Sequence, residues 1–176
     1  MRGLTEIRWH ARGGQGAKTA SQLFATAMLR HGKYVQAFPE YGPERRGAPL
    51  RSFTRVGERP IRRHDAVITP DVVVVLEPSL VDDPAVTDGL AEDGLLLVNA
   101  DAPVEGALSI PASRLAPRSV NLVMVGALAA ALGEPAPEEL AESAIALLGR
   151  KVDPDAVRQS IRAGFDAARK DARCAA

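Results

Sequence analysis

Two stretches of the chain read DVVVVLE (71–77) and GLLLVNA (94–100). Each is an unbroken aliphatic run, where a half-exposed strand would alternate. A strand of that kind is buried on both faces, which is the habit of a central, parallel strand. It needs a covering layer on either side, so the pair points to an α/β fold around an open, mostly parallel sheet.

The rest of the chain reads consistently with this. TEIRWHA (5–11) alternates and predicts a first strand; KYVQAFP (33–39) predicts a second, ended by Pro39. LRSFTRVG (50–57) alternates as a third, and ALSIPA (107–112) is short. Residues 16–29 carry Leu23, Phe24, Ala27 and Met28 at helical spacing. Residues 40–49 are loop by their Gly and Pro content, 60–70 irregular, and 84–93 helical or turn-like. Three helices are predicted over roughly 117–132, 137–149 and 153–170. The second opens with Pro137, Glu138 and Glu139, and the third with Asp153 as N-cap followed by Pro154. No long linker or internal repeat divides the chain, so residues 1–176 are expected to form a single domain.

Composition excludes several classes. Only 4% of residues are aromatic, too few for a base-stacking platform, and 22 basic residues balance 22 acidic ones. No net field draws the chain to nucleic acid or acidic lipid. One cysteine, Cys174, rules out an internal disulfide, and an Fe–S cluster needs about four thiolates. His10, His31 and His64 lack zinc-site spacing. The longest apolar run, Leu122 to Leu132, falls short of the ~20 residues that span a bilayer, and reads as a closely packed buried helix. No signal-peptide pattern opens the chain, and a cytoplasmic, membrane-free protein is expected.

The stretch WHARGGQGAKTAS joins the first strand to the first helix. A glycine turn there presents free backbone N–H groups at the positive end of a helix, where phosphate is a natural guest. Gly13, Gly14 and Gly16 lack a Cβ, so a ligand can come close. A P-loop is rejected, because Arg12 and Ala17 stand where its glycines would be. The dinucleotide pattern G-x-G-x-x-G is met by Ala11, Gly13 and Gly16 with alanine in first place. Its acidic partner would have to be Glu40, in a loop beyond Pro39. The plain alternative is a tight turn that serves packing alone.

A second unusual segment follows. Seven arginines lie between Arg45 and Arg63. Charge runs are commonly solvated faces, but Pro39, Gly42, Pro43, Gly47 and Pro49 make the Arg45–Arg46 stretch a shaped loop. Were the second strand to lie beside the first, its end would face the same sheet edge as the glycine loop, where α/β sheets bind ligands.

RGGQGAKTAS, AFPEYGPERRGAP, RSFTRVGERPI, PDVVVVLEPSL and NLVMVGALAAALG occur in that order, from about Glu6 to Gly133. Together they resemble the gamma subunit of pyruvate and other 2-oxoacid:ferredoxin oxidoreductases. The resemblance implies a Rossmann-like α/β domain with helices on both faces of the sheet and a helical C-terminal part. It implies a subunit of an enzyme that cleaves a 2-oxoacid with coenzyme A, giving acyl-CoA, carbon dioxide and reduced ferredoxin. Alpha, beta and delta subunits would be its partners and would hold thiamine diphosphate, Mg and the [4Fe–4S] clusters. On this chain Gly13, Gly14, Gln15 and Gly16 would line the coenzyme A path, with Arg45 and Arg46 bonding its phosphates. Tyr41 and Glu44 would shape that loop or the subunit interface. Ala11 stands where the family usually has a glycine, and its methyl group would narrow the approach. YGPERRGAP resembles the pyruvate-type branch. The competing reading is a free-standing Rossmann-like protein that binds NAD.

Overall fold

The computed structural model describes residues 3–40 and 49–174. Six strands form one sheet: β1 (Leu4–Arg12), β2 (Tyr34–Pro39), β3 (Pro49–Gly57), β4 (Val72–Val75), β5 (Leu95–Asn99) and β6 (Leu108–Ile110). Their order is β2-β3-β1-β4-β5-β6. β1, β4, β5 and β6 pair in parallel, whereas β3 is antiparallel to both β1 and β2. Five strands therefore run one way and β3 alone runs the other.

The helices are α1 (Ala17–Arg30), α2 (Pro84–Thr87), α3 (Ala112–Leu115), α4 (Val120–Leu132), α5 (Pro137–Leu148) and α6 (Pro154–Cys174). The helix expected from 117 begins later, with α3 as a separate turn before it. Ala116 is extended (φ −152°, ψ 86°), as the residue before Pro117 is forced to be, so helix cannot run through it.

The two faces of the sheet are covered unequally. Ile7, Trp9, Ala11, Val72, Val74 and Leu97 point to a core shared with α1, α4, α5 and α6. The small residues of α4 serve close approach. A Cβ built on Gly126 would lie 2.1 Å from the Ile161 carbonyl oxygen, and one on Gly164 would lie 1.9 Å from that of Val123. Those two glycines let the backbones of α4 and α6 touch. Across the sheet, Val73, Val75 and Val98 pack with Leu80, Val86 and partly buried hydrophobic residues, under cover supplied by the one-turn helix α2, the 3-10 turn Pro78–Leu80 and irregular chain.

β3 inserts between β1 and β2, so the second strand does not neighbour the first. Side chains fix this arrangement: the Trp9 indole N–H donates to Thr54 Oγ1 (3.0 Å), and the Ser21 and Ser52 hydroxyls meet at 2.6 Å. The expectation about the edge survives for a different reason. Two antiparallel pairings in succession return β2 to the direction of β1, so both strands still end on the same edge.

Candidate functional site

β1 ends at Arg12, and the chain turns through Gly13, Gly14 and Gln15 into α1. Gly14 has φ +99° and Gly16, the N-cap of α1, has φ +80°. Both values favour glycine. Gly16 has a further reason, since a Cβ there would sit 2.7 Å from Asn121 Nδ2 at the start of α4. Gly14 is exposed and a Cβ there would meet nothing within 4 Å among the described residues. The amides of Gly13, Gly14 and Gly16 find no acceptor among the described residues.

Gln15 folds back beneath this turn. Its amide donates to the Arg12 carbonyl (3.1 Å), and its Oε1 accepts from the Arg12 amide (2.7 Å). Its Nε2 donates to Glu77, which follows β4. Glu77 also accepts from the Ser79 amide (3.2 Å), and the Arg12 guanidinium reaches Ser79 Oγ at 3.2 Å. Burial opposes the charge on Glu77, but the bonds from Ser79 and Gln15 outweigh it and hold its carboxyl below the ordinary carboxylate range.

β1 and β4 lie where the chain's path across the sheet reverses: β3 and β2 continue to one side, and β5 and β6 to the other. The crevice outside the strand ends at such a reversal is the usual ligand position of an open α/β sheet. The glycine turn and the Glu77–Leu80 turn form its two banks.

Of the residues singled out in the sequence, Gly13, Gly14, Gln15 and Gly16 come together in this turn. Tyr41, Glu44, Arg45 and Arg46 lie outside the described residues. The flanks of that segment are placed: Pro49 sits opposite Arg12 in the β1–β3 pairing, and Glu40 donates its amide to the Arg51 carbonyl (3.0 Å). The methyl group of Ala11 does not narrow the approach to the turn, because Ala11 is fully buried in the helix-side core. Glu77, Ser79 and Asn121 escaped the sequence reading. All three lie inside the motifs PDVVVVLEPSL and NLVMVGALAAALG, which carried the family resemblance without giving these residues a role.

The arginine-rich segment is not one patch. Arg51 pairs with Glu40 (2.8 Å), which occupies the carboxylate that the dinucleotide reading needed. The backbone of Glu40 also follows β2, two strands from β1, about 10 Å in strand spacing. Arg55 is wholly buried, with its Nε donating to Glu6 (2.7 Å) and its Nη2 to the Asp65 carbonyl (2.8 Å). Arg63 bridges Asp65 and Glu6. Arg59 and Arg62 are exposed.

A second buried polar group lies beside β1. Arg8 donates to His10 Nε2 (3.0 Å) and to the carbonyls of Val86 (3.0 Å) and Asp88 (2.5 Å). Since Nε2 accepts, the ring proton of His10 is on Nδ1. Burial, with the charges of Arg8 and Arg51 adding to it, pushes His10 down to about 4. It is neutral and structural at neutral pH.

The family model described as pyruvate ferredoxin/flavodoxin oxidoreductase matches residues 6–170. The chain is 42% identical over 168 residues to the pyruvate/ketoisovalerate oxidoreductases common subunit gamma of Thermococcus kodakarensis, covering 94% of this chain and 89% of that one. Its backbone matches the crystal structure of pyruvate oxidoreductase subunit PORC from Thermotoga maritima with a TM-score of 0.81 at 39% identity, over 94% of this chain and 97% of that one. It shares its fold with the 2-oxoglutarate:ferredoxin oxidoreductase of Magnetococcus marinus (TM-score 0.77, 22% identity), covering 99% of this chain and 32% of that larger one. The chain therefore belongs to the pyruvate ferredoxin/flavodoxin oxidoreductase family, as a gamma subunit of a 2-oxoacid:ferredoxin oxidoreductase.

Proposed function

We propose that this gamma subunit helps receive coenzyme A while its complex oxidatively decarboxylates pyruvate to acetyl-CoA. The observation that carries the reading is the glycine turn at the strand-order reversal, with three amides that find no acceptor among the described residues at the N-terminus of α1. Gly13, Gly14, Gln15 and Gly16 line the coenzyme A path, the three glycine amides meeting a phosphate, and Arg45 and Arg46 add charge-assisted bonds. The described ends of the arginine loop, Glu40 and Pro49, border the same edge. The Magnetococcus enzyme of the same fold was solved with 2-oxoglutarate, coenzyme A and succinyl-CoA bound.

Alpha, beta and delta subunits complete the enzyme, with Tyr41 and Glu44 at their interface. Thiamine diphosphate with Mg on those partners supplies the carbon chemistry, and their [4Fe–4S] clusters pass electrons to ferredoxin. The Thermococcus gamma chain is named as common to pyruvate and ketoisovalerate oxidoreductases. That sharing supports a division of labour in which the gamma chain serves the acyl acceptor and other chains select the oxoacid. No helix among the described residues is long and apolar enough to cross a membrane, and the reading places the complex in the cytoplasm.

The test is the Arg45→Ala/Arg46→Ala variant in the assembled complex. The KM for coenzyme A should rise by about one to two powers of ten per lost charge-assisted bond. Single-turnover decarboxylation without coenzyme A should stay unchanged. An unchanged KM in an intact complex would assign the arginines to the subunit interface and leave the glycine turn as a packing device.

A further inference from the structure

We infer that Glu77 is a positioning residue for coenzyme A: through Gln15, it holds the glycine turn open toward the crevice. This rests on the reading that the turn holds a phosphate of coenzyme A.

The geometry is a chain of three contacts. Glu77 accepts from Gln15 Nε2, and Gln15 Oε1 accepts from the Arg12 amide at 2.7 Å. The Gln15 amide closes the turn onto the Arg12 carbonyl at 3.1 Å. The carboxamide of Gln15 thus occupies the inner side of the turn and satisfies the Arg12 amide. The amides of Gly13, Gly14 and Gly16 remain for a guest. Without the pull from Glu77, Gln15 is a half-buried loop glutamine with more than one rotamer open to it. Its carboxamide can then leave the Arg12 amide, and the turn loses the brace that keeps the three glycine amides converged on a phosphate.

A carboxylate beside an anion site needs its charge directed elsewhere. Glu77 meets that condition. It accepts from the Ser79 amide (3.2 Å) as well as from Gln15, and the Arg12 guanidinium lies on the same bank, bonded to Ser79 Oγ. Ser79 is thereby fixed from both ends, and the β4 turn becomes a rigid strut for the glycine turn. A glutamine at position 77 keeps one acceptor oxygen for Gln15. Alanine keeps none.

The experiment is steady-state kinetics of the assembled oxidoreductase complex carrying Glu77→Ala, Gln15→Ala, the double variant and Glu77→Gln. The KM for coenzyme A should rise about tenfold in each alanine variant, the worth of one hydrogen bond to a charged group. At saturating coenzyme A, kcat should be preserved. The double variant should be no worse than either single one, because both remove the same bridge. Glu77→Gln should retain most of the affinity. Fully additive effects of the two alanine variants would overturn the inference, since Glu77 would then act apart from Gln15. An unchanged KM in both alanine variants would also overturn it. Gly14→Asp separates the two ways that could happen. If Gly14→Asp raises the KM while the alanine variants do not, the phosphate reading survives and the bridge is scaffold only. If Gly14→Asp leaves it unchanged as well, the phosphate reading falls and takes this inference with it.

Discussion

On the helix side of the sheet, β1 contributes Ile7, Trp9 and Ala11 to an apolar core beneath α1, α4, α5 and α6. On the other side the same strand contributes Glu6, Arg8 and His10, all less than a tenth exposed, and β3 adds the wholly buried Arg55. Alternation in β1 suggests an apolar face inward and a polar face in water. Here both faces are inside. The polar one is covered by irregular chain and the one-turn helix α2, from which Ile68, Asp65, Val86 and Asp88 supply carbonyl acceptors. The two faces should therefore fail differently. An apolar core loses stability by volume and contact. A buried ionic layer loses it when one partner leaves another charged and unpaired.

The largest expected effect is on the ionic side. Arg55→Ala strips Glu6 of its closest cation and should cost about 3–5 kcal/mol in denaturant unfolding. Replacing Glu6 and Arg55 together by Leu and Met should cost clearly less. If the single and double variants are equally damaging, the layer is held by packing and the contrast between the faces is wrong.

Next in size is a pH effect from His10. Its folded pKa is depressed to about 4 from an ordinary 6.5. Below 6.5 the unfolded chain takes up a proton that the folded chain refuses. Stability is thus full above about 6.5 and falls as pH drops toward 4, by up to about 3 kcal/mol. His10→Gln, which still offers Arg8 an acceptor, should flatten the unfolding profile over that window. An equally steep profile in the variant would place the titrating group elsewhere.

The smallest of the three effects belongs to the helix side. Gly164→Ala puts a methyl group against the Val123 carbonyl, and α4 and α6 must part by a fraction of their contact. A loss of about 1–3 kcal/mol in thermal or denaturant unfolding is expected. A neutral result would mean that the close approach of these helices carries no stability.

Sheet, helices and the glycine turn were legible because each is a local pattern: the aliphatic runs within 71–77 and 94–100, helical spacing from Leu23 to Met28, and Gly13 to Gly16 at a strand end. The position of β3 was not legible, because its pairing with β1 depends on long-range contacts such as Trp9 to Thr54 and Ser21 to Ser52. The burial of Arg55 was hidden for a related reason. In sequence it is one of seven arginines in a charged segment, and only the fold brings Glu6, 49 positions away, to meet it. Glu77 was missed because its partner Gln15 lies 62 positions distant. The family motifs carried the functional reading further than composition could, since nothing local distinguishes a phosphate-binding turn from a packing turn.

The most direct test of the phosphate reading compares Gly14→Asp with Gly14→Asn by equilibrium binding of coenzyme A to the assembled complex. Gly14 is exposed and its φ is +99°, so both side chains carry a similar backbone strain, and neither meets a neighbour within 4 Å at Cβ among the described residues. They differ in charge and in that asparagine keeps an N–H donor, and both differences disfavour aspartate beside a phosphate. If a phosphate sits in the turn, the aspartate variant should bind coenzyme A about tenfold more weakly than the asparagine variant, by Coulomb repulsion at a few ångströms. Equal affinities would contradict the account.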